Sequence, residues 1–216
     1  MNRLFSAGSS YQNADGDRMT VVSLPEAELT LPTGQVAACD PDTALGEEIE
    51  AFTDQVSPGA YRVVLSVVEV VPARHSDVLS HAVAAAWLQT ADVPTARWSV
   101  ALLPEQSHED LSDTEFYGYG VDGGTGCFVD ASAAESLGSL VDGFNSPIVE
   151  ARFAEGAENL PINVTDPDSG LGVVAFSSGF GDGHYPTWVG HAEDGTVTGF
   201  VTEFFVVPQP GRDSDD

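Results

Sequence analysis

The chain has 216 residues, 42% hydrophobic and 19% charged, a composition that fits one globular domain with a substantial core. Its 34 acidic residues stand against seven bases, all of them arginine, for a formal net charge of -27. That field repels nucleic acid and anionic membrane surfaces, and the lack of any lysine excludes Schiff-base chemistry and a lysine-bearing phosphate loop. The same charge would attract cations or a basic protein. Because the acids are spread along the chain and form no block, solubility, under a GC-rich genome or in a salty cytoplasm, explains them slightly better. The Met-Asn-Arg start lacks the apolar core of a signal peptide, and no apolar run reaches the roughly 18 residues of a membrane helix. Cys39 and Cys127 make neither a disulfide framework nor a four-ligand zinc site. The expectation is a cytoplasmic protein with free thiols.

In chain order, residues 1–18 read as a mobile or loosely docked segment, and 19–207 as a single β-rich domain. Asp42-Thr43 is placed to cap a helix running through Gly46 to Phe52, with its acids in the favourable first turns. Tyr61 to Val71 is dense in β-branched residues and stops at Pro72, as a strand should. Ser80 to Leu88 is rich in alanine, which favours helix, but it lies between strand-like runs. It is read as a strand that joins Tyr61–Val71 and Trp98–Leu103 in a three-strand meander. Further strands are expected at Gly126–Val129, Gly172–Ser177, Thr187–Gly190 and Val197–Val207, the last two joined by a Glu193-Asp194-Gly195 hairpin. Asp130 reads as the N-cap of a second helix, and Ser146-Pro147 opens a third. Strands outnumber helices, and the strand-helix alternation of a parallel sheet is absent. The fold expected is mainly β (α+β), an antiparallel sandwich or partly closed barrel with two or three short helices. Residues 208–216 read as a disordered acidic tail.

Two glycine-aspartate signatures carry the strongest functional signal: Val121-Asp122-Gly123-Gly124-Thr125-Gly126-Cys127-Phe128-Val129-Asp130, and Ser177-Ser178-Gly179-Phe180-Gly181-Asp182-Gly183-His184-Tyr185. Glycine permits close backbone approach, and an aspartate beside it can bond its own backbone or present a carboxylate. Asp122, Asp130 and Asp182 could therefore share a divalent cation such as Ca²⁺ or Mg²⁺, although no EF-hand loop is present. A β period of two would aim Asp122 and Asp130 to one side. The competing reading is structural: Asp182 locks its turn, Asp130 caps a helix, and Asp122 accepts backbone N–H groups. Catalytic candidates are Asp122, Asp182, His184 as an oriented base, and Cys127 as a nucleophile if a histidine comes near. Against these, a histidine after Asp-Gly is commonly a surface residue, and a thiol between Gly126 and Phe128 is commonly a small core group. His184 and His191, seven apart, fall on opposite strand faces, so they make no metal pair. Gly124, Gly126, Gly181, Gly183, Tyr185 and Trp188 are the candidate ligand-binding positions. The aromatics Tyr117, Tyr119, Phe128, Phe180, Tyr185 and Trp188 gather near the signatures and could wall a pocket, with core packing the preferred reading for Phe128 and Trp188. Two carboxylates brought close in a dry pocket need a metal, a proton or an arginine such as Arg62 or Arg97.

The run Leu31-Pro-Thr-Gly-Gln-Val-Ala-Ala-Cys-Asp-Pro41 is the first of several blocks with a familiar pattern. The others are Pro58–Val63, Arg97–Leu102, the first signature, and Phe176 through Tyr185 to Gly190. Together they resemble an uncharacterised bacterial family, domain of unknown function 4241, over about residues 24–207. The resemblance implies a shared fold and transfers no reaction. No cofactor is implied beyond the candidate divalent cation. The leading functional expectation is an acidic binding or interaction protein, conceivably of the immunity type with a basic protein partner; a small-molecule partner is the other option. The rival is a small hydrolase-like enzyme with a carboxylate-rich, metal-assisted site around the two signatures.

Overall fold

In this computed structural model, residues 1–74, 79–112, 115–143 and 145–208 are described. A 3-10 turn at Asn2–Phe5 precedes strands β1 (Ser10–Gln12), β2 (Arg18–Ser23), β3 (Glu26–Leu31) and β4 (Val36–Cys39), then the one-turn helix α1 (Pro41–Ala44). Strands β5 (Gly59–Val71), β6 (Ser80–Gln89) and β7 (Arg97–Val100) follow, then a 3-10 turn at His108–Asp110 and strands β8 (Gly118–Val121) and β9 (Thr125–Asp130). A 3-10 helix at Ala131–Leu140 and helix α2 (Pro147–Arg152) lead to β10 (Ile162–Thr165), β11 (Gly172–Ser177), β12 (Gly183–His191) and β13 (Val197–Glu203). The protein is mainly β, 41% strand and 13% helical, as its sequence predicts.

A curled, half-barrel antiparallel sheet of nine strands runs β1-β2-β5-β6-β13-β12-β7. The 13-residue β5 is long enough for two partners on one edge, β3 along Gly59–Val64 and β2 along Val67–Val71. In the same way β12 pairs with β8 along Gly183–Pro186 and with β7 along Trp188–His191. Ser80–Gln89 is a strand despite its alanines: Ala82 to Ala86 are buried on both faces, where small side chains let packed layers approach. The expected meander is broken at its third member. β5 and β6 pair, but β13 takes the other edge of β6, and β7 lies beyond β12. The strongly β-branched β13 takes that interior edge along Gly199–Glu203, whereas β7 is only four residues long. Both β5 and β13 are interior, and β12 and β13 form the expected hairpin.

The second sheet, β10-β11-β9-β4, lies against the first. Alternation along its strands divides the core in two. Val36, Phe128, Val174 and Phe176 face the large sheet, while Ala37, Cys127, Val129, Val173 and Ala175 face the 3-10 helix and α2 through Ala134, Leu137, Leu140 and Ile148. Every residue of β9 is thus buried.

Two local expectations meet differences, and a third falls largely outside the described residues. Residues 46–52 are not helical: α1 ends at Ala44, and Gly46, at φ +97°, turns the chain against Gly138 so that its N–H reaches the Ala134 carbonyl at 2.9 Å. A helix could not continue through that left-handed residue. Residues 1–18, expected to dock loosely, contribute a strand and the core residue Leu4, 2% exposed. Apart from Pro208, the tail expected at 208–216 lies outside the described residues. Among the described residues no helix is long and apolar enough to cross a membrane.

Candidate functional site

The two glycine-aspartate signatures meet in space. Gly124 N–H donates to the Asp182 carboxylate at 3.0 Å, and Ser178 N–H donates to the Gly124 carbonyl at 3.0 Å. Gly124 has φ +65°, a left-handed conformation that favours glycine, and it lies within van der Waals reach of Gly181. The Tyr185 hydroxyl donates to the Gly181 carbonyl at 2.8 Å, pinning the second turn from below. Burial raises the Tyr185 phenol above its ordinary value, and the nearby Asp182 charge adds to the rise.

A third segment holds the first turn. Asp40 follows β4 and caps α1, accepting the Asp42 N–H at 2.8 Å with one oxygen and the Asp122 N–H at 2.8 Å with the other. Asp40 is 1% exposed, and burial raises its carboxyl against the pull of those two N–H groups. Arg152, in the last turn of α2, supplies the positive charge. It donates to the Gly123 carbonyl at 2.5 Å and pairs with Asp42 at 3.3 Å. The arginine expected here was Arg62 or Arg97. Arg62 instead bonds Gln89 and Glu26 at the solvent face of β5, and Arg97 lies exposed on β7.

The candidate cation ligands are dispersed. Asp122 sits in the exposed turn outside any strand, so the period-two argument that paired it with Asp130 does not apply. Asp130 is at the other end of β9, 1% exposed, and caps the 3-10 helix through Ser132. Its two oxygens also accept from the Thr33 N–H and hydroxyl and the Gly34 N–H at 2.7–3.1 Å. Burial alone would raise its carboxyl, but these hydrogen bonds win and hold it below the usual range. Among the described residues no group of three His, Cys, Asp or Glu side chains is placed to hold a metal ion.

The remaining candidates separate as well. His184 is exposed and stacks on Phe116, with ring centroids 6.0 Å apart. His191 is buried at the far end of β12 and meets Asp54 at 2.9 Å. The Trp188 indole donates to the buried Glu203 at 3.2 Å on the opposite strand face from Thr187. Gly126 leaves room for the Tyr119 hydroxyl, which an added Cβ would meet at 2.4 Å, and Gly183 leaves room for the Tyr185 ring. Cys127 faces Cys39 across the β4–β9 pair, with the sulfurs 3.5 Å apart. Burial pushes the Cys127 thiol well up, and the Cys39 hydrogen bond reinforces it.

Next to this cluster is a cavity of about 280 Å³ that the signatures do not line. It runs along the free edge of β4, with Ala38 and Cys39 on one wall and Tyr117 and Tyr119 on the other. Phe52, Leu103 and Thr187 add apolar and hydroxyl surface, and Glu50 and Gln106 stand at its polar margin. The Tyr119 hydroxyl is buried against Gly126 and beside the Thr202 hydroxyl, which in turn bonds Thr187 at 2.9 Å. A larger and more open depression of about 500 Å³ lies between the β1–β2 turn and the end of β5. Tyr117 and Tyr119 were among the aromatics expected to wall a pocket, but at the two signatures; the rest of the cavity's lining went unnoticed, because it consists of ordinary core residue types drawn from separate segments. Sequence reasoning also missed Asp40 and Arg152, whose roles depend on contacts across 82 and 29 residues.

No curated protein and no solved structure matches the chain. The signatures, the Asp40 clamp and the whole of the second sheet fall within residues 29–202, the span matched by the family model described as Protein of unknown function (DUF4241); the chain belongs to that family.

Proposed function

We propose that this is an acidic binding protein that docks a basic protein partner at the mouth of the β4-edge cavity, as an immunity-type protein would dock a basic enzyme. The observation that carries the reading is that the segments lining the cavity are rich in exposed acids. Glu47 and Glu48 are exposed in the loop that supplies the wall residues Ile49 and Glu50. Glu105, Glu109 and Asp110 are exposed in the segment that supplies Leu103 and Gln106. An apolar slot with an acidic rim suits an arginine or lysine side chain, whose stem packs while its head stays among carboxylates. The overall charge of -27 would speed association with a basic surface.

The test is a salt titration of binding to an arginine-rich peptide. Glu47→Gln with Glu48→Gln should weaken binding and flatten its salt dependence. Asp15→Asn with Glu28→Gln makes the same charge change beyond β5, on the far side of the large sheet from β12 and β7, and should do much less. Equal effects of the two pairs would reduce the attraction to net charge and overturn the docking site.

The enzymatic alternative draws on the meeting of the two signatures. Its candidate carboxylates, Asp182 and Asp130, already accept backbone N–H groups, which suits them better to holding turns than to holding a reacting group. The geometry favours binding.

A further inference from the structure

Cys39 and Cys127 are direct partners in the register of β4 and β9, with their sulfurs 3.5 Å apart. Directly opposite residues in an antiparallel pair have Cα atoms roughly 4.5–5.5 Å apart, inside the range that a disulfide spans. Contraction to a bond of about 2.05 Å therefore requires side-chain rotation and no movement of the strands. The two thiols differ in access. Cys127 is fully buried between the second sheet and the 3-10 helix, whereas Cys39 is half-buried and lines the β4-edge cavity. The sequence gives no hint of this pair, since 88 residues separate the two.

We propose that Cys39 and Cys127 form a redox-active dithiol that a hydroperoxide entering the β4-edge cavity oxidises to a cross-strand disulfide. Cys39 loses its proton and attacks the outer peroxide oxygen. The O–O bond breaks, the alcohol or water leaves with a proton, and Cys39 becomes a sulfenic acid. Cys127 then loses its proton and attacks the Cys39 sulfur; the S–O bond breaks and the hydroxyl departs as water. Two electrons pass from the sulfurs to the peroxide, and a small dithiol reductant reverses the change. Burial keeps the Cys127 thiol protonated, which assigns the first attack to Cys39 and the resolving step to Cys127. This chemistry stands apart from the docking reading, because it needs only the cavity and the two sulfurs.

The experiment treats the purified, reduced full-length chain with hydrogen peroxide and follows intact mass and free thiols after denaturation. The expected result is loss of both thiols together, with the mass lower by two hydrogens and the chain still monomeric. Cys127→Ala should instead accumulate a dimedone-trappable sulfenic acid at Cys39, and Cys39→Ala should keep its remaining thiol. Two results overturn the proposal: Cys39 carried to the sulfinic acid while Cys127 stays a thiol, or both thiols surviving peroxide that fully oxidises the unfolded chain. The wild-type mass decides the matter even if a variant fails to fold.

Discussion

Cys39 and Asp40 are consecutive residues with opposite fates, and each stands for one region of the molecule. Asp40 turns inward to the glycine-aspartate turns, where its two oxygens, the Gly123 carbonyl, the Gly124 N–H and the Tyr185 hydroxyl all have partners at 2.5–3.0 Å. Cys39 turns to a cavity lined largely by apolar side chains, with Glu50 and Gln106 at its margin. A set of polar groups that satisfy one another is a structural device. An apolar cavity with polar groups at its mouth suits a ligand. The residues most conspicuous in the sequence built the first region, and the second was assembled from inconspicuous ones.

If that contrast is correct, changes in the turns should cost stability and changes at the cavity should cost binding. The largest loss is expected for Asp40→Ala, which leaves the Asp122 and Asp42 N–H groups unpaired at a buried position. It should destabilise by about 3 kcal/mol in urea unfolding, with arginine-peptide affinity per folded molecule nearly unchanged. The Glu47→Gln, Glu48→Gln pair should do the reverse. Binding at low salt should fall about tenfold in calorimetry, with stability within about 0.5 kcal/mol of the parent. Asp182→Ala breaks one hydrogen bond at an exposed carboxylate and should cost about 1 kcal/mol by the same unfolding assay.

A smaller effect separates two buried carboxylates. Asp130 is held below the unfolded value of 3.8, so its contribution is fully present above that value and is lost as pH falls toward its folded value. Asp40 is raised above 3.8, so falling pH relieves its buried charge in the native state before the unfolded chain takes up that proton. Asp130→Asn should therefore flatten the acid loss of stability, and Asp40→Asn should deepen it. Urea midpoints measured between neutral and acid pH will show the two slopes.

The sequence was most legible where a local rule and the tertiary structure agree. Tyr61–Val71 is strand, and Val197–Val207 is strand as far as Glu203, because β-branched residues suit a buried sheet. Asp130 and Ser146 cap helices as their positions suggest, and the match over residues 29–202 agrees with the family resemblance. It was least legible where distant segments decide. The meander failed because β13 outcompeted β7 for the edge of β6, and the 46–52 helix failed because Gly46 was needed against Gly138. The meeting of the two signatures could be anticipated from their glycines, since bare backbone allows close approach. What they do there could not, because it rests on Asp40, Arg152 and Tyr185 arriving from other elements. Of the cavity, only the aromatic wall of Tyr117 and Tyr119 was marked in the sequence; Ala38, Phe52, Leu103 and Thr187 are the residues any β-protein core contains.

The most direct test of the central claim is amide chemical-shift mapping by NMR as an arginine-rich peptide is titrated into the labelled protein. The account predicts shifts at Ala38, Cys39, Glu47 to Glu50, Gly118, Tyr119 and Thr187, with Asp122 to Gly124 and Gly181 to Gly183 unmoved. Shifts confined to the two glycine-aspartate turns, with the cavity silent, would contradict it.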